Sequence, residues 1–240
     1  MPDPHQRWTV LPHGSIEPVD DGIWTVEGNI PMPLGNFPRR MTIVRLADGG
    51  TLVWSAIALH EPGMAQVEAI GPPSLLVVPN QGHRLDIKPW KARYPAARVL
   101  TPPSAKEAVM DLVPVDDTSG ATGDDAVRLA TFPGTKADEF CMTVRRGDGV
   151  TLVLNDMLAN VRHPRGLGAN IMARLFGFGV HGPRISRVVR RMYVSDPAKL
   201  AAQFRDWAAI PGLKRVIVSH GEPVEHDPAG ALRQVADTLV

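Results

Sequence analysis

Three apolar runs along this chain end in polar residues, and each ending delivers a side chain able to bind a metal. They are Ser74-Leu-Leu-Val-Val-Pro-Asn80 followed by His83, Val150-Thr-Leu-Val-Leu-Asn-Asp156, and Arg215-Val-Ile-Val-Ser-His220. Short unbroken apolar runs read as buried strands. Buried strands that stop at a polar residue place it at the mouth of a sheet, where α/β folds build their sites.

Around these runs the pattern predicts two β-rich halves, each followed by helices. Ile23–Glu27, Met41–Leu46 and Thr51–Ala56 alternate or cluster as strands, and Asp48-Gly49 between the last two is a hairpin signal. Met64, Val67 and Ile70 recur at helical spacing before Gly71-Pro72-Pro73. A helix is expected from about His83 to Arg93, a short strand at Arg98–Leu100, and a capping box at Ser104 and Glu107 for another helix. In the second half, Val127–Thr131 and Phe140–Val144 read as strands, and Asp148-Gly149 turns the chain into Val150–Leu154. Asp196-Pro197 and Asp227-Pro228 open two helices. Their inward faces carry Leu200, Phe204 and Trp207, and Leu232, Val235 and Leu239. The five tryptophans read as core or rim packing. No linker or low-complexity segment divides the chain, so one domain over residues 1–240 is expected.

Composition narrows the function classes. At 240 residues, 44% apolar and 21% charged, the chain has the length and content for a substantial core. A net charge of +1 argues against a general nucleic-acid binder. The single cysteine, Cys141, excludes an internal disulfide, suits a reducing compartment and reads as a buried, inert thiol. Met1–Arg7 lacks the apolar core of a secretory signal, and no apolar run reaches the ~20 residues of a transmembrane helix. A soluble, cytoplasmic protein is the expectation. His5 and His13 fall in a stretch expected to be mobile.

The order of these elements and their three ligand-bearing ends resembles the metallo-β-lactamase superfamily, an α/β fold built as a four-layer αββα sandwich. The run Arg40-Met-Thr-Ile-Val-Arg-Leu46, then Asp48-Gly-Gly-Thr-Leu52 and Ser55, is similar to one branch of it. So is Val78-Pro-Asn-x-x-His83 before a helix ending in Tyr94-Pro95. The resemblance spans roughly residues 20–240. Catalytic members carry His-x-His-x-Asp-His after the first central strand, a further His, a bridging Asp and a final His. That set holds two metal ions around a shared hydroxide. Set against that motif, His83 takes the last position, while Gly82 replaces the Asp, Asn80 the middle His and Val78 the first. No histidine lies between His83 and His163. Asp156 matches the bridging Asp and His220 the final His.

The resemblance therefore implies a degenerate site that argues against two-metal chemistry. What remains is at most one divalent ion, zinc, iron or manganese, held by His83, Asp156 and His220, with Asp156 also catalytic. The opposing reading is that these residues, with Asn80, are a hydrogen-bonded remnant that holds no ion, and that Asp156 caps a turn. Asn80, Arg162, His163 and Glu222 are the candidates for touching substrate. Glu222 also reads as a general base or as a solvated loop residue, and His226 as an approach to the Asp227 cap. His60-Glu61 reads as the start of a helix, with the acid at the positive end of its dipole.

From Leu158 to Ser195 there are seven arginines and no Asp, Glu or Lys. Arg grips planar oxyanions through two parallel hydrogen bonds. This insertion reads as helices over the sheet mouth that recruit a small anionic molecule. A second reading is a cationic amphipathic surface that touches anionic lipid or a partner protein. Its arginines could also pair with acids elsewhere, such as Asp111, Asp116, Asp117, Asp124 and Asp125. Two functions follow. One is a metal-dependent hydrolase of a small anionic ester, amide or thioester. The other is a catalytically inactive protein of that fold acting as a binding module through the arginines. The sequence leaves the oligomeric state open.

Overall fold

Gly49, at a φ of 87°, turns the chain between two antiparallel strands, and the Asp48 carboxylate accepts a hydrogen bond from the Gly50 amide at 2.8 Å. The strands so joined are β3 (Gly35–Arg45) and β4 (Thr51–Trp54), with Thr42 opposite Trp54 and Arg45 opposite Thr51. They belong to a six-stranded sheet. It also holds β1 (His13–Asp20), β2 (Ile23–Met32), β5 (Pro73–Val77) and β6 (Arg98–Leu100), and its strand order follows the chain, from β1 to β6. This computed structural model describes residues 3–32, 35–147, 149–164 and 166–240.

Strands β4, β5 and β6 are parallel, and helices α1 (Glu61–Ile70) and α2 (Ile87–Arg93) make their crossovers. That is why these strands are apolar on both faces: every residue of β4 is buried. Val53, Leu76, Val99, Met64, Val67 and Trp90 share one core cluster. Glu61 stands in the first turn of α1, as its acid-at-the-dipole reading requires. A 3₁₀ turn at Pro103–Ala105 and α3 (Lys106–Met110) follow β6.

Three expectations need correction here. The amino-terminal stretch is built into the fold. His13 opens β1, Trp8 stacks tilted on Trp90 at 5.7 Å, and His5 Nδ1 lies 2.7 Å from Asp86. The residue before α3 is Ala105, inside the 3₁₀ turn, so the helix starts one position later than a cap at Ser104 would set it. Helix α2 begins at Ile87, because an Asx turn and a polar loop occupy the residues after Asn80.

The second sheet has the order β10-β9-β8-β7, from β7 (Val127–Thr131), β8 (Phe140–Arg146), β9 (Gly149–Asn160) and β10 (Leu213–Gly221). β8 and β9 are antiparallel, whereas β9 and β10 are parallel. The Asp148-Gly149 turn lies partly outside the described residues, as do Asp148 itself and Arg165. Between β9 and β10 the chain forms α4 (Leu167–Phe176), α5 (Arg187–Tyr193) and α6 (Pro197–Ala208), and α7 (Pro228–Asp237) closes it. Both Asp-Pro starts behave as expected. Asp196 caps α6 through the Lys199 amide, and Asp227 caps α7 through the Gly230 amide. Leu152, Leu154, Phe204, Val216, Val218 and Leu232 lie together in the core cluster of this region. Cys141 is buried on β8, and burial, reinforced by the nearby Glu139 charge, pushes its thiol up to about 12. The inert-thiol reading holds.

By its internal contacts the chain divides into two compact units. One is Met1–Ile30 with Arg39–Leu129, and the other is Pro31–Pro38 with Ala130–Val240. Among the described residues, no helix is long and apolar enough to cross a membrane.

Candidate metal site

His83 is presented by a loop whose shape Asn80 fixes. Strand β5 ends at Val77, and the Asn80 side-chain oxygen accepts a hydrogen bond from the Gly82 amide at 2.8 Å. The His83 amide donates to the Asn80 carbonyl at 3.1 Å. This is an Asx turn, in which a short amide side chain replaces a backbone acceptor. Asn80 is thus a buried turn-former. The imidazole that the turn delivers is hydrogen-bonded through Nδ1 to Ser55 Oγ at 2.6 Å. Ser55 follows β4 with a φ of 55°, a left-handed conformation uncommon outside glycine, and its amide donates to the Val77 carbonyl. Sequence reasoning quoted Ser55 only as the end of a motif and gave it no role.

Asp156 and His220 meet because the β9–β10 ladder breaks. Val218 pairs with Leu154 and His220 pairs with Ala159, so four residues of β9, Asn155–Leu158, lie opposite Ser219 alone. An excess of residues on one strand bends it and re-aims its side chains. The amides it frees need acceptors. The buried Glu139 carboxylate accepts from the Asp156 amide at 3.2 Å and the Met157 amide at 3.4 Å, and Asn155 and Ser219 are joined side chain to side chain. Gly221, at φ 104°, lets β10 pass close to Asn160, whose carbonyl a Cβ there would strike. Both expected strand ends therefore lie inside longer strands. Asp156 sits four residues before the end of β9, and His220 one before the end of β10.

The result is a close ion pair, with His220 Nε2 at 2.8 Å from Asp156 Oδ1. The other ring nitrogen, Nδ1, donates to the Pro38 carbonyl at 2.8 Å, and the Phe37 ring lies 4.6 Å from the imidazole between centroids. Burial alone would lower the basicity of this imidazole. The hydrogen bond and charge of Asp156, together with the Pro38 carbonyl, outweigh burial and raise it above the usual histidine value. Asp156 thus does more than cap a turn. Glu139 and the Pro38 carbonyl were missed by sequence reasoning. The usable signal for Glu139 was an acid placed directly before the apolar run Phe140–Val144.

His83 lies in the first compact unit and Asp156 and His220 lie in the second, and each of the three offers one ligand atom. The expected substrate-contacting residues are placed differently. The Asn160 side-chain Nδ2 donates to the Glu222 carbonyl at 2.8 Å, and the Glu222 backbone amide donates to the Asn160 carbonyl at 2.9 Å. The Glu222 carboxylate pairs with Nδ1 of the exposed His163. Glu222 is therefore tied at both backbone and side chain. Arg162 is exposed. Asp117 and Asp124 spend their carboxylates on backbone amides of their own loops or of Ala47, and Asp116 on the Val99 amide. No acid ion-pairs with any of the six described arginines of the insertion.

Solved structures with a similar course of chain are metallo-β-lactamases. One from Erythrobacter litoralis, with β-mercaptoethanol in its active site, is 16% identical, with a TM-score of 0.61 over 93% of this chain and 96% of that one. The enzyme FIM-1 from Pseudomonas aeruginosa, in a mono-zinc form, is 14% identical, with a TM-score of 0.61 over 98% of both chains. A third, from Hirschia baltica, is 13% identical, with a TM-score of 0.58 over 93% of this chain and 98% of that one. No protein-family model matches the sequence, and no curated protein matches it. At such identities the likeness establishes the fold. The chain is α/β with two sheets and, among the described residues, seven helices, in the metallo-β-lactamase fold.

Proposed function

We propose that this chain is a metal-dependent hydrolase with a single-ion site, in which His83, Asp156 and His220 hold one divalent cation. The observation that carries this reading is the Asp156–His220 pair, which sets a carboxylate oxygen and an imidazole nitrogen 2.8 Å apart in a chain of this fold. Two imidazoles and a carboxylate with further positions open suit zinc, iron or manganese. The surroundings fit as well. Ligating imidazoles characteristically donate their second N–H to a carbonyl or another oxygen, which fixes the ring and its tautomer. Pro38 does this for His220, and Ser55 holds the corresponding nitrogen of His83. The positions where a second ion would find its histidines are filled by Val78 and Asn80, and Asn80 is committed to its turn. One of the similar structures is described in a mono-zinc form, which gives the fold a precedent for one ion.

When bound, the ion supplies Lewis acidity and a nucleophile at neutral pH. The chain's own residues do the positioning. Glu139 holds the Asp156 backbone through two amides, and Pro38 fixes the tautomer of His220. His220 Nε2 and Asp156 now share a proton, and both would have to give it up to hold an ion, so metal affinity would rise with pH. The substrate class is a small anionic ester, amide or thioester, steadied by Arg162, and the Glu222–His163 pair forms part of the approach.

Metal analysis of protein purified without added metal, paired with His83→Ala and His220→Ala, tests this reading. The expected result is about one ion per chain in the wild type and a large loss in both variants. Wild-type protein that takes up no zinc, iron or manganese, or variants that bind as well as it does, would overturn it.

A further inference from the structure

The insertion leaves an apolar stripe in solvent and surrounds it with positive charge. On α4, Leu167, Ile171 and Leu175 recur at intervals of four and so share one helix face, and they are 80%, 57% and 56% exposed. On α5, Val188 and Met192 repeat the same spacing and are also exposed. Five of the seven large apolar residues most exposed among those described thus lie in these two helices. The exposed cations Arg174, Arg184 and Arg191 stand among them, none in an ion pair among the described residues. Arg187 donates to the Leu175 carbonyl at 3.2 Å, at the end of α4 where a cation suits the dipole. Gly177, at φ 71°, closes that helix, so the stripe ends cleanly.

We infer that α4 and α5 dock on an anionic lipid surface. Two helices that each expose an apolar face of Leu, Ile, Val or Met, with arginines beside it and no acid, match the chemistry of an interfacial segment. Its apolar face enters the headgroup boundary and its cations meet lipid phosphates. The alternatives fit less well. A second copy of this chain, joined by a two-fold axis through the same patch, would set the arginine cluster against itself. Nucleic acid offers the phosphates but no bed for three aliphatic side chains. A small anion would need the arginines and would leave the stripe in water. A succession of aromatic rings runs from this surface to His220. Phe176 at the end of α4 lies 6.3 Å from Phe178, which meets Phe37 edge-on at 5.2 Å, and Phe37 packs on His220.

Flotation of the full chain with vesicles tests this inference independently of any metal. The two vesicle types are phosphatidylcholine alone and an equal mixture of phosphatidylcholine and phosphatidylglycerol. The wild type is expected to float with the mixed vesicles, to stay behind with the neutral ones, and to lose binding as salt rises. Arg174→Gln with Arg191→Gln should lower partitioning about fivefold per charge removed. Leu167→Ser with Ile171→Ser should lower it tenfold or more while the circular dichroism of the protein stays unchanged, since both positions are exposed. The inference is overturned if mixed vesicles fail to float the wild type at low salt. It is also overturned if both double variants float undiminished, or if polyglutamate in solution competes as well as vesicles do. That last outcome would assign the surface to an acidic protein. A concentration-dependent dimer blocked by the serine variants would overturn it in favour of self-association.

Discussion

Asp86 and Asp156 are both aspartates gripped by basic side chains, yet they do different work. Both Asp86 oxygens are taken, one by Arg39 Nη1 at 2.6 Å and one by His5 Nδ1 at 2.7 Å, and the carboxylate is wholly buried. A guanidinium never surrenders its proton and cannot ligate a metal. Asp156 keeps some access to solvent, and its partner is an imidazole anchored on its far side to Pro38. An imidazole can exchange its proton for an ion. Asp86 also has an imidazole partner in His5, so what separates the two acids is the guanidinium, a buried partner that cannot change state and keeps Asp86 committed.

The largest expected effect would break the comparison on the Asp86 side. Asp86→Ala leaves Arg39 buried without its counter-charge, so urea unfolding should show a loss of about 3–5 kcal/mol. The metal content of the molecules that remain folded should not change. If Asp86→Ala stripped metal from a folded chain, the division between the two aspartates would fail.

On the other side, Asp156→Ala or His220→Ala should weaken metal affinity by about a hundredfold, the share of one ligand in a site worth some ten or more kcal/mol. Competition with a chromogenic chelator measures it. Either change should destabilise the metal-free protein much less than Asp86→Ala does. Equal destabilisation with unchanged affinity would make the Asp156–His220 pair a second structural bridge.

The same contrast explains what the sequence could reveal. Parallel strands such as Thr51–Trp54 were legible because burial on both faces leaves an unbroken apolar run, and the helix starts at Asp196 and Asp227 were legible because their caps are local. The ladder break that presents Asp156 was not. Met157, Leu158 and Ala159 resume the apolar run after the polar pair, and only the register against Ser219 reveals the four extra residues. His5 and Trp8 were missed for a related reason, since the residues that order them, Asp86 and Trp90, lie some eighty positions away. The candidate ligands themselves came from the resemblance to a family, and the oxygens that orient them came only from the fold.

A sealed group should also announce itself through pH. The Cys141 thiol is pushed from 9.0 up to about 12, first by burial and then by the Glu139 charge. Above about pH 9 the unfolded chain releases this proton while the folded chain keeps it, so the unfolded state gains and stability falls. The slope is about 1.4 kcal/mol per pH unit, from near pH 9 until the folded thiol titrates. Comparing denaturation midpoints of the wild type and Cys141→Ala across that window isolates the term, because the lysines and tyrosines are common to both. Coincident slopes would mean that the thiol is accessible, and β8 would then be less sealed than its burial implies.

The smallest effect probes the orienting oxygen of His83. Ser55 holds a φ of 55°, which costs a residue with a Cβ about 1 kcal/mol or somewhat more, and a glycine is free of that cost. Ser55→Gly relieves this strain and removes the hydroxyl that fixes His83 Nδ1, whereas Ser55→Ala removes the hydroxyl and keeps the strain. Both substitutions should weaken metal binding by about tenfold, as loss of an outer-shell partner does. Their stabilities should separate, with the glycine variant the more stable by about 1 kcal/mol in the metal-free protein. If the backbone at this position is held in an unfavourable conformation to aim a ligand, affinity and stability will move in opposite directions between serine and glycine. If both fall together, Ser55 is a packing residue whose contact with His83 is incidental.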